Sequence, residues 1–452
     1  MQMTTDPFSG GRAAPSNPAA PSGPAAPIAP GRAPVRPGPR RADDRRIAAA
    51  SVLLAAVFLV LAVLAAIARP LLGPGVSPWL PLHLALAGGA STAIAGVMPF
   101  FVAALSAGHP ADRRLRAAAV ALVAIGALLV SFRGVIPAAS WLPPVGGVVY
   151  LAGVAATALA LRGSGQRGLM VRRPIVTLGY TWALLNVAIG AAIGTLAVMG
   201  WAPLLERWAE LRPAHAWTNV VGFVSVVIIA TLLHFLPTVL GGRIVARRSA
   251  VVAVLGVAMG STVVVSGLAA GWPAVAGGGA ILTLVGAGAL ALQAWRDVRG
   301  RGRWTTDPGW HLVAEVGLLA GVAWFVTGAG LASARVIGWS LGLPAMPDAW
   351  STPLVAAPLT AGWIVQVLIA SWSHLLPSIG PGGPPEHARQ RAILGRASAA
   401  RLLALNAGVA LLAVGWPTGS AAAAGVGAAL IAVAVLASAV LAGGALRVRP
   451  AA

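Results

Sequence analysis

The sequence of 452 residues contains no cysteine and no lysine, and only 10% of its residues are charged. The absence of cysteine excludes disulfides, thiolate metal sites and cysteine nucleophiles. A soluble globular chain carries about 25% charged residues. The low charge, together with a hydrophobic content of 58%, therefore predicts an all-α polytopic membrane helix bundle.

Twelve apolar stretches follow an N-terminal tail, and a stretch of about 20 apolar residues is enough to cross a bilayer. Residues 1–46 are rich in Pro, Ala and Gly and lack apolar periodicity, which predicts a disordered cytoplasmic tail. Residues 47–446 form the predicted twelve-span membrane domain, and residues 447–452 a short cytoplasmic tail. The predicted spans are 47–69, 80–105, 115–133, 143–162, 174–200, 216–240, 249–270, 272–295, 310–332, 353–377, 395–416 and 419–446.

The arginines gather in alternate loops, which indicates the orientation because cytoplasmic loops carry the excess of basic residues. With the N-terminal tail inside, both termini are predicted to be cytoplasmic. The excess of Ala, Gly and Pro suggests a high-GC bacterial genome, which predicts the bacterial inner membrane. The distribution of the arginines accounts for the net charge of +21 without any binding of nucleic acid. The arginines left on the outer side are Arg69, Arg133, Arg207, Arg212 and Arg335.

Five of the seven histidines fall in or beside predicted spans, where ionisable groups are costly and usually functional. His83 opens span 2, His215 and His234 bracket span 6, His311 opens span 9 and His374 closes span 10. Spans 2, 6 and 10 run in the same direction, which predicts an outer pair, His83 and His215, and an inner pair, His234 and His374. About 28 Å of α-helix separates the two histidines of span 6, so they cannot share one metal.

The same spans carry a repeated piece of sequence. Both inner histidines begin a His-x-x-Pro segment, His234–Pro237 and His374–Pro377, and Met98–Pro99 is a fainter counterpart in span 2. Similar segments that recur every four spans predict three repeats of four helices each.

Imidazoles from separate helices at one depth are ligands that haem iron and copper use. The predicted cofactor is haem b or copper, held by His83 and His215 at the outer level. At the inner level the candidate ligands are His234 and His374, with Met98 as a soft ligand for Cu(I). The alternative is that each histidine only forms a hydrogen bond to a neighbouring helix or to a lipid headgroup.

Glu315 is a carboxylate inside a predicted span, and His311 precedes it by one helical turn. The two side chains therefore share a helix face. They are candidates for a proton relay, and the alternative is a pair that neutralises itself within the bundle.

Two G-x-x-x-G patterns occur within the spans, a feature typical of closely packed membrane helices. The first consists of Gly190 and Gly194, and the second of Gly256 and Gly260. Both are predicted to mark places where two helices pack closely.

Twelve spans with histidines on spans 2, 6 and 10 resemble subunit I of the haem-copper oxidases. The segments His83–Thr92 and His215–Ser225 fit the patterns H-x-x-L-x-G and H-x-x-x-N-x-x-G-[WF]. In these two segments the chain is similar to a mainly actinobacterial membrane domain that occurs alone or ahead of a copper nitrite reductase or multicopper oxidase module. The resemblance implies a redox or accessory role and a separate copper enzyme or electron donor as partner.

The chain departs from the oxidase pattern in its metal ligands. A His-His pair after span 6 is absent, span 10 has His374 alone, and no tyrosine accompanies a candidate ligand. These departures favour an electron carrier, a sensor or an accessory subunit over oxygen reduction, and they leave enzymatic activity open.

Two other classes of membrane protein fit the same span count. A transporter of the major facilitator type would carry a G-x-x-x-D-R-x-G-R loop after span 2, and residues 108–116 match it except at Leu115. The third reading is a structural membrane protein without a cofactor.

Overall fold

The computed structural model describes residues 39–68, 79–106, 110–133, 135–164, 174–245, 247–302, 311–343, 352–380 and 382–448. All regular secondary structure in these ranges is helical, and twelve of the helices are long and apolar enough to cross a membrane. The predicted all-α polytopic bundle is thereby confirmed. Residues 1–38, His109 and Gly108 of the loop pattern, Arg69 and the end of the C-terminal tail lie outside the described residues.

The observed spans follow the predicted ones closely, with a few displaced ends. The first helix begins at Pro39, ahead of the predicted boundary at residue 47. Span 6 begins at Trp208 rather than 216, and span 9 continues to Ser340 rather than 332. The twelve spans are Arg45–Ala68, Trp79–Ala103, Arg113–Ser131, Leu142–Ser164, Pro174–Val198, Trp208–Val239, Arg248–Ala270, Pro273–Arg299, Leu312–Ser340, Pro353–Ile379, Ser398–Gly415 and Ala421–Leu446.

Three shorter helices in the described residues lie between the spans. Of these, Pro384–Leu394, called here the connecting helix, joins spans 10 and 11. It was not among the predicted elements, because charged and polar residues interrupt its apolar ones. The others are the 3₁₀ turn Pro137–Ala139 and the turn Ala202–Leu205.

Spans 2, 6 and 10 form the centre of the bundle. In span 6, 94% of the most apolar stretch is buried, and in spans 2 and 10 the share is 67%, whereas no other span exceeds 56%. Helices surrounded by protein on all sides can carry polar groups that lipid would not tolerate. The three central spans are therefore where a buried site can be built.

Each central span contains a π-helical segment, and none of the other spans does within the described residues. The segments are Leu84–Ala90 in span 2, Trp217–Ser225 in span 6 and Pro358–Val365 in span 10. Single π-helical turns inside α-helices are rare and frequently lie at functional sites. Their recurrence every four spans supports the four-helix repeat that the sequence predicts.

Glycines at matched positions in these segments allow each central span to pack closely on the span before it. A Cβ atom on Gly88 would overlap Phe58 of span 1, and one on Gly222 would overlap Asn186 of span 5. Gly362 is placed in the same way against Trp324 of span 9.

The last two spans of each repeat form a tightly packed pair: spans 3 and 4, spans 7 and 8, and spans 11 and 12. Glycine again permits the approach, since Cβ atoms on Gly126, Gly256 and Gly408 would overlap the backbone of the neighbouring span. For the Gly256 and Gly260 pattern, the predicted close helix packing is confirmed. Because lipid tails are as apolar as the side chains, such steric fit is a main source of stability in a membrane bundle.

Candidate functional site

His83 is the last residue of the first α-helical part of span 2, directly before the π-helical segment. Its Nδ1 atom lies 2.8 Å from the carbonyl oxygen of Trp79, one turn earlier. A carbonyl oxygen only accepts hydrogen bonds, so Nδ1 carries the ring proton and Nε2 carries the lone pair. The imidazole also stacks on the Trp79 indole, with ring centroids 4.0 Å apart and an interplanar angle of 26°.

His215 lies on span 6, two residues before its π-helical segment. Its Nδ1 atom lies 2.9 Å from the carbonyl oxygen of Gly190 in span 5 and 3.3 Å from the amide nitrogen of Asn219. The carbonyl contact is the shorter one and a carbonyl oxygen only accepts, which assigns the proton to Nδ1 here as well. The side-chain amide of Asn219 donates to the backbone carbonyl oxygen of His215 at 2.7 Å. This hydrogen bond joins the helical turn that carries His215 to the next turn. Both imidazoles therefore present the same nitrogen, Nε2, for another ligand.

The first G-x-x-x-G pattern makes room for these side chains instead of for a helix backbone. A Cβ atom on Gly190 would overlap the Asn219 amide, and one on Gly194 would lie 3.0 Å from Cε1 of His215. The predicted close helix packing is confirmed here between spans 5 and 6, with side chains in the space that the glycines leave. These glycines form the wall of span 5 against which the His215 side chain lies.

The structure brings His83 and His215 together, as predicted. Their ring centroids are 6.3 Å apart and their planes differ by 14°. With metal–nitrogen bonds of about 2.0 Å and about 1.1 Å more to each ring centre, one ion in line between two imidazoles would place the ring centroids about 6 Å apart. The pair thus has the spacing of a two-imidazole metal site.

Hydrogen bonding supports the same interpretation. A metal-ligating histidine almost always donates its other ring N–H to a carboxylate, a backbone carbonyl or water, which fixes the tautomer and raises ligand basicity. Both rings have such a bond through Nδ1. In the part of the chain that the structure describes, neither Nε2 atom takes part in a hydrogen bond. The residues present therefore fit a metal that both imidazoles would bind through Nε2.

A second pair of imidazoles lies at the opposite end of the central spans, but it is not the pair that the sequence predicts. His374 lies beside His311, with ring centroids 6.5 Å apart and an interplanar angle of 77°. Phe235 packs edge-on against His374 at 5.5 Å. The neighbouring His234 is buried, and in the described residues the rings that contact His374 are those of Phe235 and His311.

The surroundings of this second pair differ from those of the first. No ring nitrogen of His311 or His374 has a hydrogen bond within the described residues, so the carbonyl support seen at His83 and His215 is missing. His311 lies just outside span 9. Burial lowers the pKa of His311 to about 4, and the nearby His374 and Arg391 contribute in the same direction.

Glu315 lies one turn after His311, as predicted, and is buried with 4% exposure. Its backbone N–H donates to the His311 carbonyl oxygen. Within the described residues, however, no three His, Asp or Glu side chains lie close enough together to hold a metal ion.

Met98 lines a cavity between the two histidine pairs instead of joining either of them. This cavity of about 80 Å³ lies among spans 2, 6 and 10 and is lined almost entirely by apolar side chains. Thr231 and Ser371 supply the hydroxyl groups of its wall.

Sequence reasoning missed the groups that support the candidate ligands. The carbonyl oxygens of Trp79 and Gly190 are backbone atoms, which no residue pattern identifies. Asn219 could have been identified from the sequence, because it lies in the His215–Ser225 segment one helical turn after His215.

No protein-family model and no curated protein matches the chain.

Proposed function

We propose that this polytopic membrane protein binds a redox metal, either haem iron or copper, through Nε2 of His83 and Nε2 of His215. The role proposed for it is that of a redox or accessory protein of the haem-copper oxidase type. The observation that carries the proposal is the combination of a 6.3 Å ring separation with a backbone carbonyl on each Nδ1. If the two rings only filled space in the bundle, nothing would require both of them to be held with the proton on Nδ1, the tautomer in which Nε2 can bind a metal.

The position of the pair in the fold adds support. Each histidine comes one or two residues before a π-helical segment of a central span. The rings thus come from corresponding places in two repeats, and the helices that carry them are the most buried in the protein. A bound metal would supply one-electron chemistry at a place from which bulk water is largely excluded.

Both metals remain in the proposal because the two imidazoles suit either. Bis-imidazole ligation is used for haem iron, and two or three imidazoles suit copper. The electron donor or the copper enzyme that the metal would serve is proposed to be a separate chain. This part rests on the resemblance of His83–Thr92 and His215–Ser225 to the actinobacterial membrane domain.

The proposed location is the bacterial inner membrane with both termini in the cytoplasm. The distribution of arginine among the loops supports it. Reporter fusions after Arg247 and after Gly342, which lie at opposite ends of the bundle, should give opposite signals, and equal signals would contradict the orientation.

The transporter alternative has no specific observation in its favour. Asp112 of the loop pattern accepts hydrogen bonds from the backbone N–H groups of Arg114 and Leu115, and so caps the N-terminus of span 3. Helix capping is a sufficient physical reason for an aspartate at this place.

The test is metal analysis and an absorption spectrum of purified protein, for the wild type and for the variants His83→Ala and His215→Ala. We expect haem or copper in the wild type and loss of it in both variants. His387→Ala, on the connecting helix, is the control that should retain the wild-type content. Wild-type protein that is folded but free of haem and copper after growth with both would reject the proposal and favour a bundle without a cofactor.

A further inference from the structure

Three basic side chains from three different elements meet at the His374 end of the bundle. His311 directly precedes span 9, His374 lies near the end of span 10, and Arg391 lies in the last turn of the connecting helix. The imidazole centroids are 6.5 Å apart. The connecting helix that carries Arg391 packs against span 10, and the charge of Arg391 contributes to the lowered pKa of His311.

Their polar atoms are not engaged elsewhere in the described residues. Neither imidazole forms a hydrogen bond through a ring nitrogen, and Arg391 forms no ion pair. Arg389 on the same helix differs from Arg391, because its guanidinium donates to the Glu386 carboxylate at 2.9 Å. Arg391 is exposed and its charge is not neutralised by this carboxylate.

The sign of the charge decides what such a cluster can bind. A metal cation would be repelled by Arg391, whereas an anion would be attracted to it. Guanidinium presents a planar fork of N–H donors that matches phosphate and carboxylate oxygens. A neutral imidazole adds one N–H donor, and two rings at a large interplanar angle can direct their donors to different oxygens of one group.

We propose that His311, His374 and Arg391 form a binding site for a phosphate-type oxyanion. The ligand is either free inorganic phosphate or the phosphate of an anionic lipid headgroup, since the cluster lies at the end of membrane spans. Arg391 supplies the positive charge of the site, and each imidazole supplies an N–H donor. The site does not depend on a metal at His83 and His215.

The first experiment measures thermal unfolding of the purified full-length protein in detergent during titration with inorganic phosphate at constant ionic strength. A ligand that binds only the folded state raises the melting temperature in a saturable way. Arg391→Gln should raise the half-saturating concentration at least about tenfold, because charge-assisted hydrogen bonds are the strong ones. Arg396→Gln, an exposed arginine at the same end, is the matched control and should change it by less than about twofold.

The second experiment uses nanodiscs of phosphatidylglycerol and phosphatidylcholine and counts retained phosphatidylglycerol by native mass spectrometry. Retention that is lost in Arg391→Gln and in the double variant His311→Gln with His374→Gln, but kept in Arg396→Gln, identifies lipid as the source. Saturable phosphate binding with the same pattern identifies the free oxyanion.

Arg391→Lys keeps the charge and should retain part of the binding, which separates loss of the site from loss of the fold. The proposal is overturned if neither ligand binds the wild type. It is equally overturned if Arg391→Gln and Arg396→Gln behave alike.

Discussion

The hydrogen bond between spans 6 and 10 offers the sharpest test of the packing at the centre of the bundle. Ser225 ends the π-helical segment of span 6, and its hydroxyl donates to the Val220 carbonyl oxygen at 2.8 Å. The same hydroxyl accepts a hydrogen bond from the indole N–H of Trp363 in span 10 at 3.0 Å. Both side chains are fully buried. In Ser225→Ala the indole N–H therefore loses its partner where water cannot replace it.

The expected loss of folding stability in Ser225→Ala is best judged against a matched variant. Ser373→Ala also removes a buried hydroxyl, but one that donates to its own helix at Ile369 and accepts from no other span in the described residues. An unsatisfied buried donor costs about 1–3 kcal/mol, whereas hydrogen bonds in membrane proteins average about 0.6 kcal/mol. We therefore expect Ser225→Ala to destabilise the protein by about 1 kcal/mol more than Ser373→Ala.

Reversible unfolding in mixed detergent micelles, followed by circular dichroism, measures this difference. Trp363→Phe removes the donor, so the double variant with Ser225→Ala should cost about 1 kcal/mol less than the sum of the single variants. Additive costs, or equal costs for Ser225→Ala and Ser373→Ala, would refute the proposed contact between the central spans.

Three further substitutions test other parts of the structure. Gly126→Ala should destabilise the protein by about 1–3 kcal/mol in the same unfolding assay, because the new methyl group would overlap the backbone of span 4. Gly278→Ala is its control, since a Cβ atom there meets nothing within 4 Å. Gly194→Ala should shift the absorption spectrum of the metal-loaded protein without removing the metal, because its Cβ atom would lie 3.0 Å from the His215 ring. Asp112→Ala should cost about 0.5–2 kcal/mol of stability as the loss of a helix N-cap.

Each of these expectations can fail separately. Equal stability of the two glycine variants would contradict the close packing of spans 3 and 4. An unchanged spectrum in Gly194→Ala would show that span 5 does not shape the histidine site. Substrate uptake that is lost in Asp112→Ala while stability is unchanged would favour the transporter reading over the capping role.

The spans and the first histidine pair could be predicted from the sequence because both depend on local features. An apolar run of sufficient length is decisive by itself in a membrane. His83 and His215 lie near the beginnings of parallel spans, so their common depth followed from counting residues. The direction of each ring was not part of that prediction.

The second pair could not be predicted because it depends on rotation about the helix axis. His234 and His374 occupy matched positions in span 6 and span 10. A π-helical segment precedes each of them, and its wider turn changes the direction of every later side chain relative to an α-helix. Helical periodicity counted at 3.6 residues per turn therefore fails beyond the segment. The imidazole in contact with His374 is that of His311, which lies just before span 9.

The glycine pattern in span 5 illustrates the same limit. Gly190 and Gly194 fit a motif for close helix packing, as Gly256 and Gly260 do, but only the second pair lies against the backbone of the neighbouring span. What differs is the partner: Asn219 and His215 fill the space left by the first pair. Sequence spacing identifies a gap in the helix surface, but the tertiary structure decides which group enters it.

X-ray absorption at the metal edge tests the central claim most directly, because it reports the ligands of the metal itself. For wild-type protein the account predicts iron or copper with the outer-shell scattering of two imidazoles and metal–nitrogen distances of about 2.0 Å. In His83→Ala and in His215→Ala this imidazole signal should fall or the metal should be lost. A metal whose ligand sphere is the same in the wild type and in both variants would contradict the account.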